Sequence, residues 1–383
     1  MNRRLTRSLI ATILGTGLVL TSGAAVTASA DTPTLKITPV ISGLNGPRGI
    51  AFDSHSNLYV AEAGAFQNVT GMNFAVNQTG KVDKFKVDEG TATLKWSTSF
   101  NSLSDTFLGG GPEVLGPAGV ATDGNHVLAL LSQNSTGVHK LDPTLDIPQI
   151  GHLFSLNAGN GHAESISNIG DQEYEWAADN AGLWKEFPDS NPNAVLITEG
   201  RNGHRDRTFV VDSGANTVAE VMPNGKIHVI AFIPNDPVRD STPTCITQGP
   251  DGALYVATLD LVENLFTPLG PGASHVYRID PNTHESFLTA AHVWASGLTT
   301  VFGCTFDRHG NFWATEILAP NKSGPPGDVV RIPFSNPSSI EHIGLGSLPT
   351  PGGIAEGPDH AIYVAVGAAI TAPNAGGIVK ITS

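Results

Sequence analysis

One phrase recurs along this chain: a Pro or small residue opens a short apolar segment, a polar turn follows, and a second segment rich in aromatics and Val returns. It reads Pro47-Arg48-Gly49-Ile50-Ala51-Phe52 then Asn57-Leu58-Tyr59-Val60-Ala61-Glu62. It returns as Pro243 to Gln248, Gly249-Pro250-Asp251-Gly252 and Ala253 to Ala257, and again as Pro351 to Glu356, Gly357-Pro358-Asp359-His360 and Ala361 to Ala365. A repeated supersecondary unit cannot bury its own apolar face and must stack on its neighbours. With 43 Gly, 26 Pro and little helical periodicity, many short strands joined by tight turns are predicted. An all-β stack of repeated sheets, a β-propeller or a solenoid, follows.

The first strands align on Pro47, Pro117, Pro192, Pro243, Val301 and Pro351, spaced widely enough for four strands each. Six units are expected, with seven as the alternative if Gly151 to Asp189 hides a degenerate one in segments 164–169 and 174–177. Third strands are read by alternation at Gly80 to Phe85, Gly137 to Leu141, Asn216 to Val221, His275 to Ile279, Asp328 to Ile332 and Gly377 to Ile381. The last unit then lacks an outer strand, while Leu35 to Ile41 precedes the first unit with no sheet of its own. Pairing the two satisfies both orphan edges and closes the ring. Residues 31–383 are thus read as a single propeller domain.

Residues 1–30 carry Arg3, Arg4 and Arg7, an apolar stretch from Leu9 to about Leu20, and Ala28-Ser29-Ala30. That order is a secretory signal peptide cleaved after Ala30, so the protein is expected outside the cell. Removing it takes away three Arg and no acid, changing the net charge from −14 to −17. Such a surface repels nucleic acid and anionic membranes, and a soluble, monomeric protein is expected. Cys245 and Cys304 fall on neighbouring innermost strands one position out of step, which argues against a bridge because adjacent strand positions face opposite ways. Export itself permits one.

Each innermost strand starts on the rim where each second strand ends. Glu62, Asp212 and Glu316 occupy equivalent second-strand ends in units one, three and five, with Thr258 and Val366 in units four and six. Three acids around one mouth invite a divalent cation, Ca²⁺ by preference, and the alternative is that each holds its own blade corner through backbone N–H groups. The longest loops, 63–79, 259–274, 317–327 and 367–376, open on the same rim. Elaborated loops on one side of a repeat scaffold mark its binding face. Phe66, Met72, Phe74, Leu261 and Phe266 are candidates either to wall a pocket there or to pack down as loop anchors.

The phrases Gly43 to Gly49, Tyr59 to Gly64, Asp189 to Pro192, Val211 to Thr217 and Gly249 to Val256 resemble the ScyD/ScyE family of exported bacterial propellers. The resemblance implies a six-bladed propeller related to NHL-repeat proteins, with no settled biochemical activity. More distantly the chain is similar to gluconolactonase-type lactonases, which hold one divalent metal in the channel. Asn193 matches their Asn that opens a middle blade, while Arg48, Thr244 and Gly352 stand where acidic or amide ligands are expected. Similarity to streptogramin lyases would need a His and an acid, for which His162 and Glu164 are the nearest pair. The reading is therefore a binding scaffold for a small molecule, wall polymer or protein, using Glu62, Asp212, Glu316, Asn193 and Arg48. A metal-dependent hydrolase or lyase is the alternative.

Overall fold

A computed structural model describes residues 36–382 apart from 69–73, 106–111, 125, 184–187, 199–205, 236–240, 283–285 and 321–325. The signal-peptide reading and Met72 lie outside the described residues. Six sheets, antiparallel except where Ile227–Phe232 pairs in parallel with Ser286–Phe287, form a six-bladed β-propeller, and the seven-bladed alternative is set aside. The innermost strands are Pro47–Phe52, Pro117–Thr122, Pro192–Thr198, Pro243–Gln248, Val301–Phe306 and Ile354–Glu356, the first five opening where the sequence alignment placed them and the sixth three residues after Pro351. Six apolar clusters each join residues of two adjacent blades, such as Tyr59 with Val127 between blades one and two and Trp313 with Ile362 between five and six. No blade keeps an apolar face to itself, which is why the units fold only as a ring.

Closure comes from the first strand. Lys36–Leu44 runs antiparallel to Gly376–Thr382, with Lys36 opposite Thr382, Ile37 opposite Ile381 and Thr38 opposite Lys380. It supplies the outermost strand of blade six and joins the two ends of the chain in one sheet. Its inner edge is therefore paired where an open stack would leave N–H and C=O groups bare.

The polar turn between first and second strands works through one carboxylate. Asp53 accepts from the backbone N–H of His55 and Asn57, the Asn57 amide and the Tyr59 hydroxyl, at 2.7–3.2 Å. Asp307 does the same for His309, Asn311 and the Trp313 indole N–H, which lies 2.8 Å away. In the Gly-Pro-Asp form of the turn the acid moves two places along, and Asp251 and Asp359 instead reach the hydroxyls of Tyr255 and Tyr363 at 3.3 and 3.0 Å. Two different turn sequences thus supply the same acceptor to a buried aromatic whose polar tip needs one. For Asp53, burial alone would raise the pKa, but the bonds from Asn57, His55 and Tyr59 outweigh it and hold the carboxyl below its usual range.

Three sequence expectations change. Gly137 to Leu141 belongs to a helix, Ser135–Leu141, whose N-cap Asn134 accepts from Gly137 N–H at 2.5 Å. The third and fourth strands of blade two are His152–Asn157 and Ala163–Asn168, so the latter holds most of 164–169, while 174–177 lies in the helix Ile169–Asp179. Gly80 to Phe85 sits inside a longer strand, Phe74–Asp88, which pairs along its length with Thr91–Asp105. Phe74 is accordingly a strand residue, packed near Leu103 and Val138 as an anchor.

Cys245 and Cys304 are bridged, with Cα atoms 5.7 Å apart. The expectation of separate thiols fails because strict alternation applies within one regular sheet, and these strands belong to different blades. Each also carries a bulge at its start, between Pro243 and Cys245 and between Val301 and Cys304, which re-aims the following side chain. The innermost strands approach closely around the channel: a Cβ at Gly303 would lie 2.5 Å from the Gly352 carbonyl oxygen. The bridge links cysteines 59 residues apart across the interface of blades four and five. Reduction, or the C245S/C304S pair, is expected to cost about 2–4 kcal/mol with native secondary structure retained. Thermal melts with and without reductant check this, and coincident melts would contradict it.

Candidate functional site on the loop-rich face

Register places the start of each innermost strand beside the end of its second strand: Pro47 faces Glu62, Pro192 faces Asp212, and Val301 faces Glu316. The loops that follow meet on this rim, where Phe66 N–H donates to Thr371 O and Ala63 N–H to Gly46 O. The shared mouth read from the sequence is present. Its three acids do not face one another across it.

Each is held within its own blade. Glu62 is buried and accepts from Asn45 N–H. Burial pushes its carboxyl up to about 8, with Asp83 beside it adding to the shift. Asp212 is buried and accepts from the Ser190 hydroxyl and the N–H groups of Asn191, Gly214 and Ala215, at 2.5–2.8 Å. Burial raises it to about 6 despite those four donors. Glu316 accepts from Thr299 N–H at 2.6 Å, and burial followed by the charge of Asp328 holds it well above the usual range. The corner-holding role is the one that these contacts describe.

The channel gives the same answer for a metal at its axis. Its cavity, about 90 Å³, is lined by residues of all six innermost strands, including Arg48, Asn193, Thr244, Cys245, Cys304 and Ile354. None of the lining residues is a carboxylate or a histidine, so the lining does not fit the divalent ion that lactonase-like propellers carry. Asn193 donates its amide to Thr244 O at 2.7 Å, and the Thr244 hydroxyl donates to Val301 O at 2.8 Å. Both side chains strap adjacent blades together. His162 and Glu164 lie 3.8 Å apart, both mainly exposed, at the outer edge of blade two and away from the channel.

Arg48 is different. It lines both the channel and a crevice on the loop-rich face with Glu113, Gly64, Ala368 and Thr371. One terminal NH₂ group donates to Val114 O at 2.8 Å, while the buried Nε has no partner among the described residues. Burial lifts the neighbouring Glu113 to about 7, partly offset by the positive charge of Arg48.

The roomiest of these cavities was not legible in the sequence. A groove of about 410 Å³ runs beside the helix Ser135–Leu141, lined by His139, Lys140 and Asp146 together with Val138, Leu145 and Ile147. It belongs to the connection that leaves the second strand of blade two, so it opens on the same rim. Elsewhere on these loops Phe266 is 56% and Leu269 48% exposed, unlike Leu261, which is buried against Leu259, Ile317 and Leu318.

No protein-family model and no curated protein matches the sequence, so the ScyD/ScyE resemblance stands on the quoted phrases alone. Solved structures do match. A putative glucose dehydrogenase-type oxidoreductase from Thermus thermophilus aligns over 91% of this chain and 100% of its own with a TM-score of 0.54 and 11% identity. The holo pyranose dehydrogenase PQQ domain from Coprinopsis cinerea aligns over 92% and 96% with a TM-score of 0.53 and 14% identity. A streptogramin B lyase aligns over 91% and 97% with a TM-score of 0.48 and 15% identity. At these identities the likeness concerns the fold: the class defined here is the six-bladed β-propeller.

The raised carboxyls dictate a pH dependence. A folded acid that holds its proton above its unfolded pKa binds more protons than the unfolded chain, so stability falls as pH rises through that window. With Asp212 near 6, Glu113 near 7 and Glu62 near 8, stability is expected to decline from about pH 4.5 to 8. Glu62→Gln keeps an oxygen for Asn45 N–H and should flatten the upper part of that decline. Urea unfolding of both proteins between pH 5 and 8 measures it, and stability that rises across the range in wild type would contradict it.

Proposed function

We propose that this is an exported binding propeller that takes a small molecule, wall polymer or protein partner on its loop-rich face. The groove beside Ser135–Leu141 is its principal seat. The observation that carries this reading is the division between the two ends of the site. The channel is narrow, strapped and without acid or imidazole, whereas the rim offers a groove of ligand size with apolar walls and a Lys, a His and an Asp at its edge. Exposed Phe266 and Leu269 extend apolar surface along the same face.

The enzyme alternative in its channel-metal form finds no ligand set in the channel among the described residues. Glu62, Asp212 and Glu316 are engaged in separate corners, and Asn193 is committed to Thr244. The strongly acidic composition fits a partner that is neutral or cationic, and supports the exclusion of nucleic acid.

Titration of isotope-labelled protein with soluble peptidoglycan fragments and a panel of neutral oligosaccharides, followed by NMR, tests the seat. The expected result is saturable shifts concentrated at residues 135–147, weakened in Lys140→Ala. Shifts confined to the opposite face, or turnover of a probe, would overturn the assignment.

A further inference from the structure

Blade five holds an arrangement that the other acid corners lack. Glu316 ends the second strand, Asp328 lies directly opposite it on Gly327–Pro333, and His342 comes from the outermost strand Glu341–Leu348. His342 Nδ1 is 2.8 Å from an Asp328 oxygen and 3.7 Å from Glu316 Oε2, and one donor atom from each residue falls within 4.8 Å of the others. Both carboxyl side chains are wholly buried. Glu316 Oε2 and Asp328 Oδ1 nonetheless have no hydrogen-bond donor among the described residues.

Buried acid pairs also sit at the corners of blades one and three, where Asp83 Oδ1 and Glu173 Oε1 likewise have no donor among the described residues, but each of those pairs leaves one such oxygen against two in blade five. In blade three Asp212 has four donors, and Glu173 beside it accepts from the Thr217 hydroxyl. In blade one the Glu62 and Asp83 pair has Lys81 near it. Blade five has one backbone donor, Thr299 N–H, and an imidazole. A cation would neutralise these two adjacent buried carboxyls and fill their open lone pairs, and an imidazole nitrogen as third donor selects among cations.

We propose that Glu316, Asp328 and His342 form a divalent metal site of the Zn²⁺ class, set within blade five and separate from both the channel and the groove. Imidazole with two carboxylates suits Zn²⁺ better than Ca²⁺, which takes six to eight oxygens. Tetrahedral Zn²⁺ with bonds of about 2.0–2.2 Å separates its ligand atoms by roughly 3.3 Å. The observed 2.8 and 3.7 Å bracket that spacing. The His342 side chain, 28% exposed, gives the ion a route from solvent. Glu316 keeps its place as a ligand from the sequence reading, but its companions are Asp328 and His342 in place of Glu62 and Asp212.

The test uses the mature protein after chelator treatment, titrated calorimetrically with Zn²⁺, and with Ca²⁺ and Mg²⁺ in parallel, alongside thermal melts. One equivalent of Zn²⁺ is expected to bind, with a melting temperature that climbs with Zn²⁺ concentration. His342→Ala removes a partly exposed side chain and leaves the core intact. It should weaken binding at least about tenfold, since even supporting residues around metals cost that much. Asp328→Asn should abolish it while leaving the metal-free melt no lower. Absence of heat and of any melting shift at millimolar Zn²⁺ would overturn the site. So would tighter binding of Ca²⁺ than of Zn²⁺, or Zn²⁺ binding that both variants leave intact.

Discussion

The pairing of Lys36–Leu44 with Gly376–Thr382 is the contact on which the other features rest. A stack of sheets whose apolar faces are shared between neighbours has two unsatisfied ends, and only a ring removes both. Once the first strand is lent to the last blade, the Leu44, Ile50 and Tyr363 cluster between blades six and one completes the circuit of cores. Ring closure also presses the innermost strands together, so that Gly353 N–H donates to Arg48 O across the seam of blades six and one. The narrow channel, the strapping side chains and the Cys245–Cys304 bridge are consequences of that crowding.

Crowding at the axis in turn directs the chemistry outward. Asn193 and Thr244 are the polar side chains that a channel site would need, and both are used to hold the neighbouring blade. The second-strand acids sit one layer further out, where burial and backbone donors fix them at blade corners. The larger openings lie on the surface built by the connections, in the groove beside Ser135–Leu141 and the crevice at Arg48. A fold shared with dehydrogenase domains here has its channel narrowed by its own strapping side chains.

The fold was legible because its signal is local. In blades one, four, five and six the first and second strands form a hairpin around a turn acid, and both turn forms, with Asp53 or Asp251, leave a readable polar gap between apolar runs. The orphan strand at one end and the missing strand at the other then forced closure. The failures have equally specific causes. Five residues, Gly137 to Leu141, are too few to separate a period of two from one of 3.6, and the cap at Asn134 decided for helix. Bulges at Cys245 and Cys304 broke the alternation on which the cysteine argument relied. Site partners such as Asp83, Glu173, Asp328 and His342 meet their acids only through strand register or loop packing, which sequence spacing does not display. Arg48 and Asn193 do line the channel wall, yet their roles there depend on carbonyls of other strands.

Hydrogen exchange of peptides covering 36–44 and 376–382 in the intact protein tests ring closure most directly. Closure through these strands predicts slow amide exchange in both segments, lost together under mild denaturant as one unit. Rapid exchange of 36–44 in native buffer, with 376–382 still protected, would contradict the closed ring.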